Sequence, residues 1–137
     1  MEISEAVEFV RRNHRGVLAV TRADGKPQMS PVTASVDKDG LVVVSSRETA
    51  YKVRSLRARP YAAYCGFADQ FFGQPWVQIE GPARIISLPE AMDQLVDYYR
   101  SVSGEHPDWD DYRAAMQRDR RVIVRFAIER AGPNVSG

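Results

Sequence analysis

Three short segments rich in Val and other strand-forming residues follow one another closely in the first third of the chain. They begin at Gly16, Pro27 and Leu41, and the connections between them contain Asp24-Gly25 and Asp39-Gly40. Asp-Gly pairs are typical of tight hairpin turns. Because parallel strands need a crossover of about a dozen residues, these connections predict an antiparallel meander and exclude a Rossmann crossover here. The predicted strands cover residues 16–22, 27–36 and 41–46.

Helices and strands alternate over the rest of the chain. Apolar residues at helical spacing predict four helices, and Pro60 ends the second of them. Ser87 and Glu90 fit a capping box for the third helix, and Asp108 precedes the fourth. Gly81-Pro82 predicts a bulge or bend within a strand. The predicted helices cover residues 3–13 and 49–59 and follow residues 87 and 108; the further strands cover 61–68, 76–86 and 121–129, before a turn-like tail from 131.

Six strands joined mostly by hairpins, with helices at the margins, predict a small antiparallel β-barrel. The chain is therefore expected to be mainly β, of the α+β class, with a single domain over residues 1–137. This length is enough to bury one adequate core. Six strands and short helices leave a sheet edge and an apolar surface uncovered, and a dimer would cover both.

Composition excludes several classes of function. The 19 basic and 18 acidic residues give a net charge of +1, so no general nucleic-acid binding is expected. A single cysteine, Cys65, excludes an intrachain disulfide, and the sequence has no Cys/His spacing typical of a metal site. Acidic Glu2 and Glu5 argue against a signal peptide, and no apolar run reaches the roughly 18 residues of a membrane span. A cytoplasmic location is expected.

The usual catalytic constellations are missing from the sequence. The histidines, His14 and His106, accompany no Ser or Cys nucleophile pattern, and both are expected at the surface beside helix ends. The carboxylates of residues 108–111 are explained as helix-start electrostatics. Cys65 is expected to be a small core residue. We therefore assign no catalytic residue from the sequence.

One segment, residues 45–54, has the composition of a phosphate site. It runs from the end of a strand into a helix, with Ser45 and Ser46 before the helix and Lys52 in its first turns. Free backbone N–H groups, the helix dipole, hydroxyls and a lysine together can bind a phosphate. The alternative is that these cations form only the solvated face of a short helix. The residues by themselves leave both interpretations open.

The order of these motifs resembles a known family. The DG turn, the PQMSPV and VVVSS strands, the segment ETAYKVRSLRARPYAA and the strand WVQIEGPARI resemble the pyridoxamine 5′-phosphate oxidase-like split β-barrel superfamily. The segment SGEHPDWDDYRAAMQRDRRVIVRF is similar to the actinobacterial branch whose members use the deazaflavin coenzyme F-420. The resemblance covers about residues 7–128. It implies a six-stranded antiparallel split β-barrel with flanking helices.

The resemblance also implies a homodimer with two cofactor sites at the subunit interface. Lys52 is expected to contact the cofactor phosphate, and Ser30 is a candidate contact for the ring or the substrate. Trp76 has a second explanation, as a core or interface aromatic. The implied cofactor-binding residues are Gln28, Met29, Ser30 and Pro31 beside the ring, Ser45, Ser46 and Arg47 on the ribityl and phosphate side, Lys52, Arg54, and Trp76 and Gln78 contributed across the interface.

Two departures from the family pattern bear on this site. The family has a basic residue two positions before the lysine, where this chain has Ala50, so the hold on the phosphate is weakened unless Arg47 or Arg54 compensates. Pro31 occupies a position that is often polar in relatives and contacts the edge of the ring.

The function implied is hydride transfer between coenzyme F-420 and a small organic substrate. The cofactor carries the chemistry, which accounts for the missing acid–base residues. Phe71, Phe72 and Trp76 are expected to line a pocket for a planar apolar substrate. One alternative is a flavin mononucleotide (FMN) reductase or oxidase on the same fold; true pyridoxamine-phosphate oxidase activity is disfavoured because its substrate-phosphate residues are not recognisable. Another is a non-enzymatic protein that binds a cofactor or haem.

Overall fold

A computed structural model describes residues 1–134 of the chain. The elements predicted from the sequence are present, with boundaries that shift by a few residues. The helices are α1 (Ile3–Arg12), α2 (Tyr51–Ala58), α3 (Met92–Ser103) and α4 (Trp109–Arg118). The strands are β1 (Arg15–Thr21), β2 (Pro27–Val36), β3 (Val42–Arg47), β4 (Tyr61–Phe67), β5 (Trp76–Ile86), β6 (Arg121–Phe126) and β7 (Arg130–Gly132).

Six of the strands close into an antiparallel barrel. The hydrogen-bonded order is β4-β1-β2-β3-β6-β5, and the pairing of β4 with β5 closes the ring. The short strand β7 pairs with the first half of β5. The barrel interior holds the main core, which includes Leu18, Val44, Tyr64, Ile79 and Phe126. The predicted six-stranded antiparallel barrel with flanking helices is confirmed.

The strand β3 explains how the helices attach to the barrel. Val42, Val43 and Val44 are all buried, although a strand with one solvated face alternates buried and exposed side chains. Val42 and Val44 belong to the barrel core, whereas Val43 belongs to a second core beneath α3 and α4. Both faces of β3 are therefore covered, and α3 lies over the wall of the barrel rather than at its margin.

A bulge interrupts the pairing of β5 with the closing strands, as predicted from Gly81-Pro82. Ala83 pairs with Phe126 and Glu80 pairs with Arg130, so the two residues between Ala83 and Glu80 face the three residues 127–129. A Cβ atom at Gly81 would lie 1.6 Å from the carbonyl oxygen of Ala127. The bulge brings the two backbones so close that only glycine fits.

Three sequence predictions are corrected by the structure. The tail from residue 131 is not only turn-like, because residues 130–132 pair with β5 as β7; residues 135–137 of that tail lie outside the described residues. The Ser87 capping box does not form: α3 begins at Met92 without a side-chain cap, and the Ser87 hydroxyl bonds to Glu48 instead. Cys65 is exposed, because it lies on the outward face of β4.

The start of α4 agrees with its prediction. The Asp108 carboxylate accepts a hydrogen bond from the backbone N–H of Asp111 at 3.1 Å, which caps the helix. Within residues 1–134, no helix has both the length and the apolar composition needed to cross a membrane.

Candidate functional site

A groove of about 810 Å³ lies between the barrel wall and the helices α3 and α4. Its floor comes from three neighbouring strands, β1, β2 and β3, and one side comes from α2 and the first residue of β6. The second core beneath α3 and α4 holds the opposite side in place. The lining residues are Arg15, Gly16, Pro31, Val32, Thr33, Ser45, Lys52, Phe67, Tyr98, Tyr99, Tyr112, Met116 and Arg121.

Lys52 extends from the first turn of α2 into this groove. Its ammonium group donates a hydrogen bond to the hydroxyl of Ser30 on β2, with 3.2 Å between Nζ and Oγ. Burial lowers the pKa of Lys52 below the ordinary value of 10.5, and the charge of Arg121 lowers it further. The hydroxyl is a neutral partner, so the charge of Lys52 is not compensated by this hydrogen bond.

Cations dominate the charge of the groove. Arg15, Lys52 and Arg121 line it, and its lining, all within residues 1–134, includes no Asp or Glu. Arg15 is largely exposed at the rim, with Asp69 at 3.9 Å. The Nε atom of Arg121 is buried and has no hydrogen-bond partner among residues 1–134. Buried donors normally find an acceptor, so this lining suits a ligand with negatively charged or neutral acceptor oxygens.

Tyrosines from α3 and α4 form the opposite wall. The hydroxyl of Tyr98 donates to the backbone oxygen of Thr33 on β2, and that of Tyr112 donates to the backbone oxygen of Leu95, each at 2.8 Å. Burial raises the pKa of Tyr98, and it raises the pKa of Tyr112 to about 12. Both phenols therefore stay neutral at physiological pH. Tyr99 packs against Tyr112 with 5.0 Å between the ring centroids, which gives the groove a rigid aromatic side.

The predicted site residues fall into two groups. Pro31, Ser45 and Lys52 line the groove, and Ser30 joins them through its hydrogen bond with Lys52. Ser46, the next residue on β3, is buried in the barrel wall. The structure thus brings together the core of the predicted phosphate site from three separate elements.

The other predicted basic residues turn away from the groove. Arg47 is exposed and lies 3.9 Å from the carboxylate of Asp119. Arg54 is exposed and lies over the ring of Tyr51, 6.0 Å from its centroid. Neither Arg47 nor Arg54 is among the lining residues of the Lys52 groove.

The remaining predicted residues lie on β2 and β5. Met29 is exposed, whereas Gln28 is partly covered, and its buried side-chain oxygen has no hydrogen-bond partner in the part of the chain that the structure describes. Gln28 and Ser30 lie on the same face of β2, because alternate residues of a strand share a face. Trp76 and Gln78 lie on the outer face of β5 and line a separate groove beside β7.

Phe71, Phe72 and Trp76 come together as the sequence predicts. They line a third groove of about 880 Å³ with Phe67. The rings of Phe67 and Phe71 meet edge to face at 5.9 Å, and those of Phe71 and Phe72 at 5.0 Å. Phe67 lines both this groove and the Lys52 groove, so the aromatic loop lies at one end of the cationic site.

Sequence reasoning missed the side of the groove that α3, α4 and β6 provide. Tyr98, Tyr99 and Tyr112 have the spacing of ordinary core residues, and that spacing does not indicate which partly buried aromatic faces a ligand site. Arg121 begins a strand and carries no local signal of binding. Arg121 is brought to the groove by the register of β6 against β3, which places Ser45 opposite Ile123 and Arg47 opposite Arg121. A local sequence pattern does not show this register.

Comparison with known proteins defines the class to which this barrel and groove belong. A family profile described as pyridoxamine 5′-phosphate oxidase matches residues 3–133, almost the whole chain. The chain therefore belongs to the pyridoxamine 5′-phosphate oxidase family. The resemblance found in the order of its motifs is confirmed.

Solved structures agree on the fold. A conserved hypothetical protein from Mycobacterium tuberculosis is 25% identical, with a TM-score of 0.77 over 100% of this chain and 92% of that chain. An F-420 reductase is 19% identical, with a TM-score of 0.68 over 91% of this chain and 94% of that one. A putative pyridoxamine 5′-phosphate oxidase from Listeria innocua is 15% identical, with a TM-score of 0.70 over 98% of each chain.

Proposed function

We propose that this chain is a deazaflavin-dependent oxidoreductase that uses coenzyme F-420 to transfer a hydride to or from a small planar organic substrate. The observation that carries the proposal is the groove that Lys52, two arginines and three tyrosines line, with no carboxylate side chain from residues 1–134 in the lining. A phosphorylated cofactor with a flat aromatic ring needs both a cationic end and an apolar wall. Membership of an oxidase family and structural similarity to an F-420 reductase support the same class of reaction.

The residues present fit such a cofactor. Lys52 and the hydroxyl of Ser45 would hold the phosphate, and the strand around Ser30 and Pro31 would lie along the ring. The unpartnered side-chain oxygen of Gln28 provides an acceptor on the same face of β2 as Ser30. A bound deazaflavin supplies the hydride donor or acceptor, and the protein supplies binding, orientation and exclusion of water.

The protein's own residues have a positioning function in this scheme. Tyr98 and Tyr112 are neutral and tied to backbone oxygens, so they form a fixed apolar wall rather than acid–base groups. Among the described residues that line the groove, none is a His, Asp or Glu that would serve as a general base. Hydride exchange by a bound cofactor needs no general base from the protein, so it is the reaction that suits this site.

FMN is the main alternative cofactor. It also carries a phosphate and a tricyclic ring, so the same cations and tyrosines would contact it. A third possibility is a protein that binds one of these cofactors, or haem, without catalysing a reaction. Binding affinities distinguish the two cofactors, and turnover distinguishes an enzyme from a protein that only binds its cofactor.

The test is a pair of fluorescence titrations of the purified protein, one with F-420 and one with FMN. We expect micromolar or tighter binding of F-420, weaker binding of FMN, and a loss of about 10- to 100-fold in F-420 affinity in Lys52→Ala. Lys38→Ala removes an exposed lysine in a hairpin turn that does not line the groove, and it serves as the matched control. Tighter binding of FMN than of F-420 would mean that FMN is the cofactor. Binding of neither cofactor would refute the proposed function.

We further propose that the active form is a homodimer in which Trp76 and Gln78 complete the partner's site. Within one chain these residues do not line the Lys52 groove. Phe71 and Phe72, which line a groove with Trp76, are unusually exposed, at 70% and 87%. Exposed apolar surface of this kind marks an interaction site, and a second copy of the chain would bury it.

Mixing two inactive variants tests this arrangement. A mixed dimer of Lys52→Ala and Trp76→Ala subunits contains one intact site if Lys52 of one chain works with Trp76 of the other. We then expect such dimers to bind cofactor at half of the wild-type number of sites, with wild-type affinity. If both residues act within one chain, the mixed dimer contains no intact site. A monomer by analytical ultracentrifugation would also contradict the proposal.

A further inference from the structure

We propose that Arg121 is the second cation of the phosphate site and takes over the function that Ala50 cannot perform. The inference rests on the proposed function, because it concerns the same groove. It assigns to β6 a phosphate contact that the family pattern locates at the start of the helix α2. Arg121 then determines how strongly the site prefers phosphorylated over unphosphorylated cofactors.

The position of Arg121 supports this assignment. It is the first residue of β6, and it pairs across the ladder with Arg47 at the end of β3. Arg47 points toward Asp119, and Arg54 lies over Tyr51, so both are engaged outside the groove. Of these three arginines, Arg121 alone lines the groove together with Lys52.

The charges around Arg121 point in the same direction. Its Nε atom is a buried donor for which the described part of the chain provides no acceptor. Its positive charge lies close enough to Lys52 to lower the pKa of that residue. Within the groove, whose lining lies in residues 1–134 and includes no Asp or Glu, these two like charges repel, and a phosphate dianion that bonds to both removes the repulsion. The guanidinium group suits this position because its planar fork can bond two phosphate oxygens at once.

The chain around Arg121 keeps its backbone in place. The preceding residue, Arg120, has a positive φ of 51°, and its backbone oxygen accepts a hydrogen bond from the N–H of Glu48 at 3.0 Å. This contact ties the turn before β6 to the segment between β3 and α2. The backbones that carry Lys52 and Arg121 are thus fixed relative to each other, as a two-cation phosphate site requires.

The test compares a phosphorylated cofactor with its unphosphorylated counterpart. The phosphorylated ligand is whichever of F-420 and FMN the wild type binds more tightly; the counterpart is the deazaflavin without its phosphate, or riboflavin. We expect Arg121→Gln to weaken binding of the phosphorylated ligand by about 10- to 100-fold and binding of the counterpart by less than about threefold. Arg118→Gln, an exposed arginine in the last turn of α4, is the matched control.

A second variant tests the replacement directly. Introducing Ala50→Arg into the Arg121→Gln protein returns a cation to the position where the family has one, and we expect it to recover at least part of the lost affinity. Thermal unfolding of each variant separates loss of binding from loss of folding. Wild-type affinity in Arg121→Gln, or a loss in Arg47→Gln instead, would overturn the inference. If the wild type binds neither cofactor, the proposed function itself has failed.

Discussion

Lys52 on α2 donates a hydrogen bond to Ser30 on β2, with 3.2 Å between the two side-chain atoms. This contact fixes the end of a flexible four-carbon side chain beside the strand that would carry the cofactor ring. We predict that Ser30→Ala lowers cofactor affinity by about 1 kcal/mol, or roughly fivefold, because Lys52 must then be ordered on binding. Ser30→Thr keeps the hydroxyl and is expected to bind within about twofold of the wild type.

Isothermal titration of the three proteins provides the measurement. Ser103→Ala, an exposed serine at the end of α3, shows the effect of losing a hydroxyl elsewhere. Equal affinities of Ser30→Ala and the wild type would mean that the hydrogen bond does not organise Lys52 for binding.

The lowered pKa of Lys52 predicts how cofactor binding depends on pH. Burial favours the neutral amine first, and the charge of Arg121 adds to this, so Lys52 of the free protein loses its proton below the ordinary lysine value of 10.5. Because a phosphate binds the charged form, affinity is expected to fall as the pH rises toward that value. Lys52→Arg keeps its charge throughout the alkaline range, so its affinity should fall less. Titrations between pH 7 and about pH 10 compare the two proteins, and parallel pH profiles would contradict the prediction.

The barrel could be predicted from the sequence because each local signal agrees with its neighbours. The Asp-Gly turns, the Pro60 stop and the Gly81-Pro82 bulge all lie where the pattern places them. The strand β7 was missed because three residues are too few to show an alternation. The Ser87 capping box was predicted wrongly, because the Ser87 hydroxyl has a better partner in Glu48, 39 residues away in the sequence.

Local residue patterns predict the candidate site only where its residues are close together in sequence; Ser30 and Pro31 were added by the family resemblance. Ser45 and Lys52 lie in one segment with the composition of a phosphate site, and both line the groove. Arg121 and Tyr98 reach the same groove from distant parts of the chain. Their contribution depends on the register of β6 and on how α3 packs over β3, which no local pattern encodes.

The contact of Glu48 with Ser87 and Arg57 predicts a dependence of stability on acid. The hydrogen bond from the Ser87 hydroxyl lowers the pKa of Glu48, and the Arg57 guanidinium, 2.8 Å away, lowers it further. A carboxylate with a lowered pKa in the folded state stabilises the fold above its unfolded-state pKa, and this stabilisation disappears as the pH falls through the folded-state pKa. We predict that Glu48→Gln costs about 1 kcal/mol at pH 7 and much less near pH 3.

Urea unfolding at a series of pH values measures the Glu48 contribution. Glu90→Gln removes an exposed carboxylate just before α3 and should leave the pH dependence as it is in the wild type. A difference between Glu48→Gln and the wild type that stays constant down to pH 3 would show that ionisation of Glu48 is not what stabilises the contact.

Because Gly81 lies so close to Ala127, we predict that a methyl group added at residue 81 destabilises the barrel more than one added elsewhere in it. A Cβ atom at residue 81 would lie 1.6 Å from a backbone oxygen, which no side-chain rotation can relieve. Gly81→Ala should therefore destabilise the fold by about 3 kcal/mol or more and lower its melting temperature by roughly 10 °C. Gly132→Ala, on the neighbouring strand β7, places the same methyl group in open space and should change the melting temperature by no more than about 2 °C. Calorimetry of the two variants tests this prediction. Similar melting temperatures would mean that the bulge shifts easily and does not fix the closure of the barrel.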